Sequence, residues 1–233
     1  MHIYCINLER REDRRESVGT EFTRAGLDVE FFPAVDGRID TPDGMYVTPS
    51  EYGCSMSHSK IWNDIIEKKY PMALVLEDDV CLVPNFKTKL EKILEEANEI
   101  PWDIIHLGPL LPIKKGHVSA HLYEGQPLGS HAYVINYDCA KKIAPFDIKL
   151  AKVPIDFQLN RFPIRIFCVN EPLAKQMSLD ENSHMGLLIS AFDGDIGFNR
   201  TFDLHYLIRY VFHKFRYFII VFVSMLVLLL IRE

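Results

Sequence analysis

The sequence predicts a three-layer αβα domain of the α/β class built on a mainly parallel sheet, and three observations carry that prediction. Strand-length apolar runs alternate along the chain with amphipathic helical stretches, the pattern of repeated βαβ units. Met72 to Leu76 (MALVL) is apolar at every position, as a strand covered on both faces must be. That run ends in three adjacent carboxylates, Glu77, Asp78 and Asp79, where such a sheet opens toward its ligands.

The elements follow in order. His2 to Leu8 (HIYCINL) reads as the first strand. The polar helix after it places Val18, Phe22 and Ala25 on one stripe and stops at Gly26. Arg10, Arg11, Arg14 and Arg15 crowd the turn between strand and helix, where guanidinium forks match phosphate oxygens or pair with Glu9, Glu12 and Asp13. Val29 to Val35 is a second strand. Thr48-Pro49-Ser50-Glu51 forms a capping box with proline at the first helical position, and the helix it starts carries Cys54, His58, Ile61 and Ile65 at helical spacing. His58 thus falls on a buried stripe and reads by default as a hydrogen-bonded core histidine.

Beyond the carboxylates, Asn85 is placed to cap a helix whose Phe86, Leu90, Ile93, Leu94 and Ala97 share one face. Trp102 to Leu107 is another strand, and Pro109 to Pro127 a long loop or short hairpin over the site. His131 to Asn136 returns to strand, Tyr137 to Ile143 to a short helix, and Ile164 to Val169 is a last strand. Between them, Pro154-Ile155-Asp156 sets a carboxylate after a turn, either at the functional rim or as a cap for the helix that follows. Glu171 to His184 is polar and leads back toward the rim.

Two like charges about 4 Å apart repel by about 1 kcal/mol in water and about 4 kcal/mol near a protein surface, so three carboxylates at a half-buried strand end call for compensation. A divalent cation supplies it. On an extended chain Glu77 and Asp79 project to one side and Asp78 to the other, which offers two hard oxygen ligands suited to Mg²⁺ or Mn²⁺.

With 233 residues, 48% of them apolar, the chain fills one α/β domain and little more. A net charge of -6 with scattered basic residues gives no support to a nucleic-acid partner. The five cysteines, at 5, 54, 81, 139 and 168, show no metal-ligand spacing, form no even set for disulfides and read mostly as buried thiols of a reducing compartment. The first residues enter a strand without the pattern of a signal peptide, so export by that route is not expected. At the other end, Tyr217 to Ile231 is uncharged with Ser224 as its one polar residue. As a helix it would cover about 22 Å, short of a hydrocarbon core of about 30 Å. Aromatics interleave with Arg209, His213, Lys214 and Arg216 just before it, as on a helix lying in a membrane interface. The expected organisation is a domain over residues 1–200 and a hydrophobic membrane-attachment helix over 201–233.

Four segments, taken together, resemble glycosyltransferase family 25. They are Ile6-Asn7-Leu8 with the arginine-rich RREDRR, Gly53-Cys54-Ser55-Met56-Ser57-His58 with Trp62, Leu76-Glu77-Asp78-Asp79, and Gly129-Ser130-His131-Ala132-Tyr133. The resemblance runs to about residue 185 and leaves the tail outside. It implies a GT-A-like fold and inverting transfer of galactose or glucose from a UDP-sugar to a hydroxyl of a lipooligosaccharide or other glycoconjugate. The acidic triplet then stands where a metal-binding DxD motif would, with Glu in first place. Asp79 is the direct ligand of Mn²⁺ or Mg²⁺, and Glu77 or Asp78 meets the ribose or a metal-bound water. Asn7, Arg10 and Arg14 lie near the nucleotide. An inverting enzyme also needs a base for the acceptor hydroxyl, for which Asp156 is the candidate. Asp180 and His184 are available as a third ligand, His184 being the choice; Asp193-Gly194-Asp195 also spells DxD but follows a weaker strand.

Two other readings share these features. A membrane-associated scaffold that binds a nucleotide sugar without turning it over would keep the fold. A phosphotransferase would need a phosphate-cradling glycine loop or a nucleophilic aspartate motif, which the sequence lacks. For topology, Arg209, Lys214 and Arg216 precede the apolar run and Arg232 alone follows it, balanced by Glu233, so the positive-inside tendency places the domain on the cytoplasmic face of a membrane. Protease added outside sealed cells is therefore expected to leave residues 1–200 uncut until the membrane is permeabilised; cleavage in intact cells would reverse the assigned orientation.

Overall fold

The structure is a computed structural model that describes residues 1–176. The expectations for Asp180, His184, Asp193-Gly194-Asp195 and the hydrophobic tail lie outside the described residues. Among the described residues, no helix is long and apolar enough to cross a membrane.

The chain runs through β1 (His2–Asn7), α1 (Glu12–Ala25), β2 (Glu30–Pro33), α2 (Gly37–Asp40), α3 (Pro49–Lys68), β3 (Met72–Glu77), β4 (Val80–Leu82) and α4 (Phe86–Ala97). It continues through β5 (Ile104–His106), β6 (Leu110–His117), β7 (Leu122–Leu128), β8 (Ala132–Asn136), α5 (Tyr137–Ile143), α6 (Ile155–Leu159), β9 (Ile166–Val169) and β10 (Ala174–Gln176). The main sheet has the order β2-β1-β3-β8-β5-β9-β7-β6, and β4 pairs with β10 in a second, two-stranded sheet.

Period-two alternation in β3 builds the three layers. Ala73 and Val75 face the cluster formed with Ile61, Trp62 and Ile65 of α3 and Ile143 of α5. Leu74 and Leu76 face the opposite cluster, with Val18 and Phe22 of α1 and Phe86, Leu90 and Ile93 of α4. The sheet is mainly parallel in direction, yet mixed in pairing. β1 pairs in parallel with β2 and β3, and β5 with β9, whereas β8 runs antiparallel to both β3 and β5, and β7 to both β9 and β6. The reversed strand β8 is fully covered on both faces at Ala132 to Ile135, so its apolar pattern cannot be told from that of a parallel neighbour.

Three local expectations are corrected. Asn85 adopts a left-handed conformation, φ 60°, and its side chain makes no capping hydrogen bond to α4. The 109–127 segment does not lie over the site: its hairpin β6–β7 extends the main sheet beyond β9, where Leu122 and Tyr123 are buried. Asp156 does not cap the short helix α6, because it sits inside the first turn behind Pro154. The chain after β9 does return to the rim. Leu173 N–H donates to the Leu107 carbonyl at 2.7 Å, and β10 pairs with the strand that follows the carboxylates.

The helix start at Thr48 forms as its residues dictate, with Thr48 and Glu51 in a reciprocal capping box. Gly53 then lets α3 approach the turn after β2. A Cβ on Gly53 would stand 2.6 Å from the Val35 carbonyl oxygen and 2.8 Å from the Gly37 nitrogen. Ser57, one turn on, locks the same contact: its Oγ accepts from Val35 N–H at 2.9 Å and donates to the Gly53 carbonyl at 2.7 Å. Helix propensity alone favours alanine over glycine by about 1 kcal/mol, so Gly53→Ala isolates the close approach. Its expected effect is a loss of about 1–3 kcal/mol from overpacking, read as a lower midpoint of urea unfolding.

Candidate active site

The carboxylates meet the rim where β3 ends, and the turn there sends them to different partners. The extended geometry expected from sequence holds only as far as Glu77, the last residue of β3; Asp78 and Asp79 form the turn into β4. Glu77 keeps the alternation of β3 and faces α3. His58 Nε2 lies 3.2 Å from its Oε1, and Ser130 Oγ donates to the same oxygen at 2.7 Å. Burial pushes the Glu77 carboxyl up, but the hydrogen bonds it accepts from His58 and the Ser130 hydroxyl oppose this, and the group is held below the ordinary glutamate value. Glu77 is therefore an ion at the floor of the rim.

A chain of hydrogen bonds behind it fixes the tautomer of His58. Trp62 Nε1–H, a donor only, donates to Tyr133 Oη at 3.1 Å, and Tyr133 Oη lies 2.8 Å from His58 Nδ1. The ionised Glu77 only accepts, so the proton on the imidazole sits on Nε2 and Nδ1 accepts from the Tyr133 hydroxyl. Trp62, Tyr133 and His58 are all fully buried.

Asp78 turns to the other side of the sheet. Its Oδ2 accepts from Asn7 Nδ2 at 2.8 Å and its Oδ1 from Arg14 Nη1 at 2.9 Å. Arg14 also reaches Asp79 Oδ2, at 3.9 Å. Asp79 is the least satisfied of the three: Oδ1 is buried with no hydrogen-bond partner. Burial, and next the charge of Glu77, raise its carboxyl from 3.8 to about 7. A buried carboxylate oxygen without a donor is a candidate ligand for a cation.

A cleft of about 310 Å³ opens at the carboxyl ends of β1, β2 and β3, with Arg10, Arg11 and Arg14 on one wall and Gly53, Cys54 and Glu77 on another. Arg10 is held there by Asp36 Oδ2 at 2.7 Å. The other arginines of the cluster are engaged locally, Arg11 by Asp13 and Arg15 over the Phe31 ring. A larger surface hollow of about 620 Å³ lies at the opposite ends of the strands, by Met1, Gly26 and Leu94. Its His2 and Glu30 already pair with each other.

Asp156 stands against the Glu77 pocket. Burial and then the charge of Glu77 raise its carboxyl, opposed by Ser130 and the Gly129 amide, and its Oδ1 has no hydrogen-bond partner. The structure thus gathers Asn7, Arg10, Arg14, Glu77, Asp78, Asp79 and Asp156 at one rim, while His184 is outside the described residues.

Residues 1–158 match the family described as Glycosyltransferase family 25 (LPS biosynthesis protein). The chain belongs to glycosyltransferase family 25. Curated relatives include a glycosyltransferase 25 family member of Aedes aegypti, 40% identical over 46% of this chain and 21% of its own length. Procollagen galactosyltransferase 1 of Danio rerio is 28% identical over 84% of this chain and 37% of its own. A probable inactive glycosyltransferase 25 family member 3 of Bos taurus is 31% identical over 66% of this chain and 30% of its own. This chain therefore spans about a fifth to two fifths of the length of these relatives. Among solved structures, a glycosyltransferase involved in the glycosylation of the major capsid of PBCV-1 overlays 80% of this chain and 98% of its own, with a TM-score of 0.47 and 13% identity.

In this family 25 chain, the motif residues that sequence reading left without a role acquire one from the fold. Ser130 holds Glu77, Tyr133 orients His58, and Gly53 and Ser57 dock the cleft wall. Cys54 also reaches Glu77, Sγ to Oε1 3.9 Å. The one advance signal was the one-turn spacing of Cys54 and His58, which aims both at the same point.

The raised Asp79 carboxyl predicts how metal-free stability varies with pH. Between about 4 and about 7 the folded state holds the Asp79 proton and the unfolded state has lost it, so this group removes stability as pH rises through that window. The scale is about 1.4 kcal/mol for each pH unit separating the two values. Asp79→Asn is expected to gain on the parent protein as pH rises from 5 to 8, measured by urea unfolding with chelator present; a constant difference would show that Asp79 is not buried as described.

Proposed function

We propose that this chain transfers a hexose, galactose or glucose, from a UDP-sugar to a hydroxyl of a saccharide or glycolipid acceptor, with inversion and in a GT-A-like arrangement. The single observation that carries the reading is the partnerless, buried oxygen of Asp79 beside an arginine-walled cleft in a chain of family 25. That oxygen fits a hard divalent cation, Mn²⁺ or Mg²⁺. Bound there, such an ion would supply positive charge for the oxygen of the departing diphosphate.

The chain's own residues do the rest. Asn7 and Arg14 clamp Asp78, which fixes the turn that presents Asp79. Arg10 and Arg14 offer guanidinium forks to the diphosphate from the cleft wall. Asp156 is the base: its raised carboxyl is a better proton acceptor than an ordinary aspartate once ionised, and the free Oδ1 receives the acceptor hydroxyl's proton. His184 completes the metal ligands, and the segment from about residue 201 attaches the domain to the cytoplasmic face of the membrane that carries a glycolipid acceptor.

The probable inactive relative of Bos taurus favours a second reading, in which the cleft binds a nucleotide sugar without transfer. One assay separates the two: the full chain with Mn²⁺ and each common UDP- and GDP-sugar, scored for nucleotide release. Transfer predicts release from a UDP-hexose, abolished by chelator and lowered at least about 10²-fold in Asp79→Ala with its circular dichroism unchanged. UDP-sugar binding by calorimetry without release, equal in both proteins, would favour the scaffold.

A further inference from the structure

The contact between α3 and the end of β3 brings together three side chains of a different chemical character from the Asp78–Asp79 turn. Cys54 and His58 lie one turn apart on one face of α3 and converge on Glu77. One ligand atom from each, sulfur, nitrogen and oxygen, lies within 4.8 Å of the other two. Cys54 Sγ is 3.9 Å and His58 Nε2 3.2 Å from the same Glu77 oxygen. In a tetrahedral site with sulfur at about 2.3 Å and nitrogen or oxygen at about 2.0 Å from the ion, ligand atoms stand about 3.3–3.5 Å apart. The sulfur–oxygen and nitrogen–oxygen separations lie within about half an ångström of these values, and the sulfur and nitrogen lie within 4.8 Å of each other.

We propose that Cys54, His58 and Glu77 form a binding site for a thiophilic divalent cation, with Zn²⁺ the best match to a thiolate, imidazole and carboxylate set. Two features around the ligands support this. The second imidazole nitrogen of His58 is held at 2.8 Å by the buried Tyr133 hydroxyl, the outer contact that orients a metal-ligating histidine. Cys54 and Glu77 also line the cleft, which gives an ion its way in and a fourth ligand, water, its place.

Binding forms the S–metal, N–metal and O–metal bonds and releases one proton to solvent, from the Cys54 thiol. The single proton of His58 passes from Nε2 to Nδ1, which then donates to Tyr133 Oη. The site is distinct from the hard-oxygen position at Asp79, which does not line the cleft, so the protein would answer to soft and hard cations at separate points of one rim.

The test uses the full chain, metal-stripped, titrated with Co²⁺ as the spectroscopic probe. The expected result is a thiolate-to-cobalt charge-transfer band in the near ultraviolet with visible bands of tetrahedral intensity, both displaced by stoichiometric Zn²⁺. Cys54→Ser and Cys54→Ala should lose the charge-transfer band while keeping the parent circular dichroism. Tyr133→Phe should keep it with about tenfold weaker Co²⁺ affinity. Cys81→Ser, which alters an exposed thiol, and Asp79→Asn should both retain it. Absence of the band in the parent protein, its survival in both Cys54 variants, or its loss in Cys81→Ser or Asp79→Asn would overturn the assignment. The cobalt spectrum needs no turnover and is read independently of any transferase activity.

Discussion

The rim of this protein depends on keeping one carboxylate ionised at the end of a buried strand. Glu77 follows four fully covered residues of β3, and a charge there survives only with partners that replace water. His58 and Ser130 are those partners, and His58 is in turn held through Tyr133 to Trp62. The chain of contacts links α3, β8 and β3, so three elements distant in sequence must dock in register before Glu77 is satisfied. Leaving such a charge without its partner costs about 3–5 kcal/mol, a large part of the stability of a domain this size. A buried polar network rigidifies a fold when fully satisfied and is costly when a member is left unpaired, so this one favours the docked position of α3.

Once Glu77 is fixed, the next two residues have little freedom. The turn after β3 hands Asp78 to Asn7 and Arg14, which ties the junction of β1 and α1 to the same point. Asp79 is left between an ion on one side and a shared arginine on the other. Adjacent carboxylates thus acquire three environments: Glu77 held below its ordinary value, Asp78 bound by an amide and a guanidinium, and Asp79 raised to about 7 with an oxygen unengaged. Separation of neighbouring acids in this way is a common mark of functional sites. The same docking sets Cys54 against Glu77.

Much of the fold was legible because it rests on local rules. The capping box at Thr48, the left-handed stop at Gly26 and the alternation in β3 each depend on residues within a few positions of one another. Sequence reading fell short where identical local patterns serve different global ends. β8 is apolar on both faces whichever way it runs, and the hairpin at 110–128, expected as a loop or hairpin over the site, instead extends the sheet beyond β9. Asn85 has the composition of a cap, yet its backbone is turned left-handed by the tight passage from β4 into α4. Glu77 and Asp79 share a face only on an extended chain, and the turn at Asp78 ends the extension.

By itself the sequence determined the alternating α/β plan, the buried central strand, the acidic triplet at its mouth and the arginine cluster near it. All of these follow from hydrophobic periodicity, capping and charge spacing along the chain. Tertiary structure alone decided that β8 inserts antiparallel between β3 and β5, that Ser130, His58 and Cys54 converge on Glu77, and that Asp79 keeps an oxygen without a partner. The reason is range: these outcomes are set by burial and by contacts spanning up to several dozen residues, and no short window of sequence contains both partners.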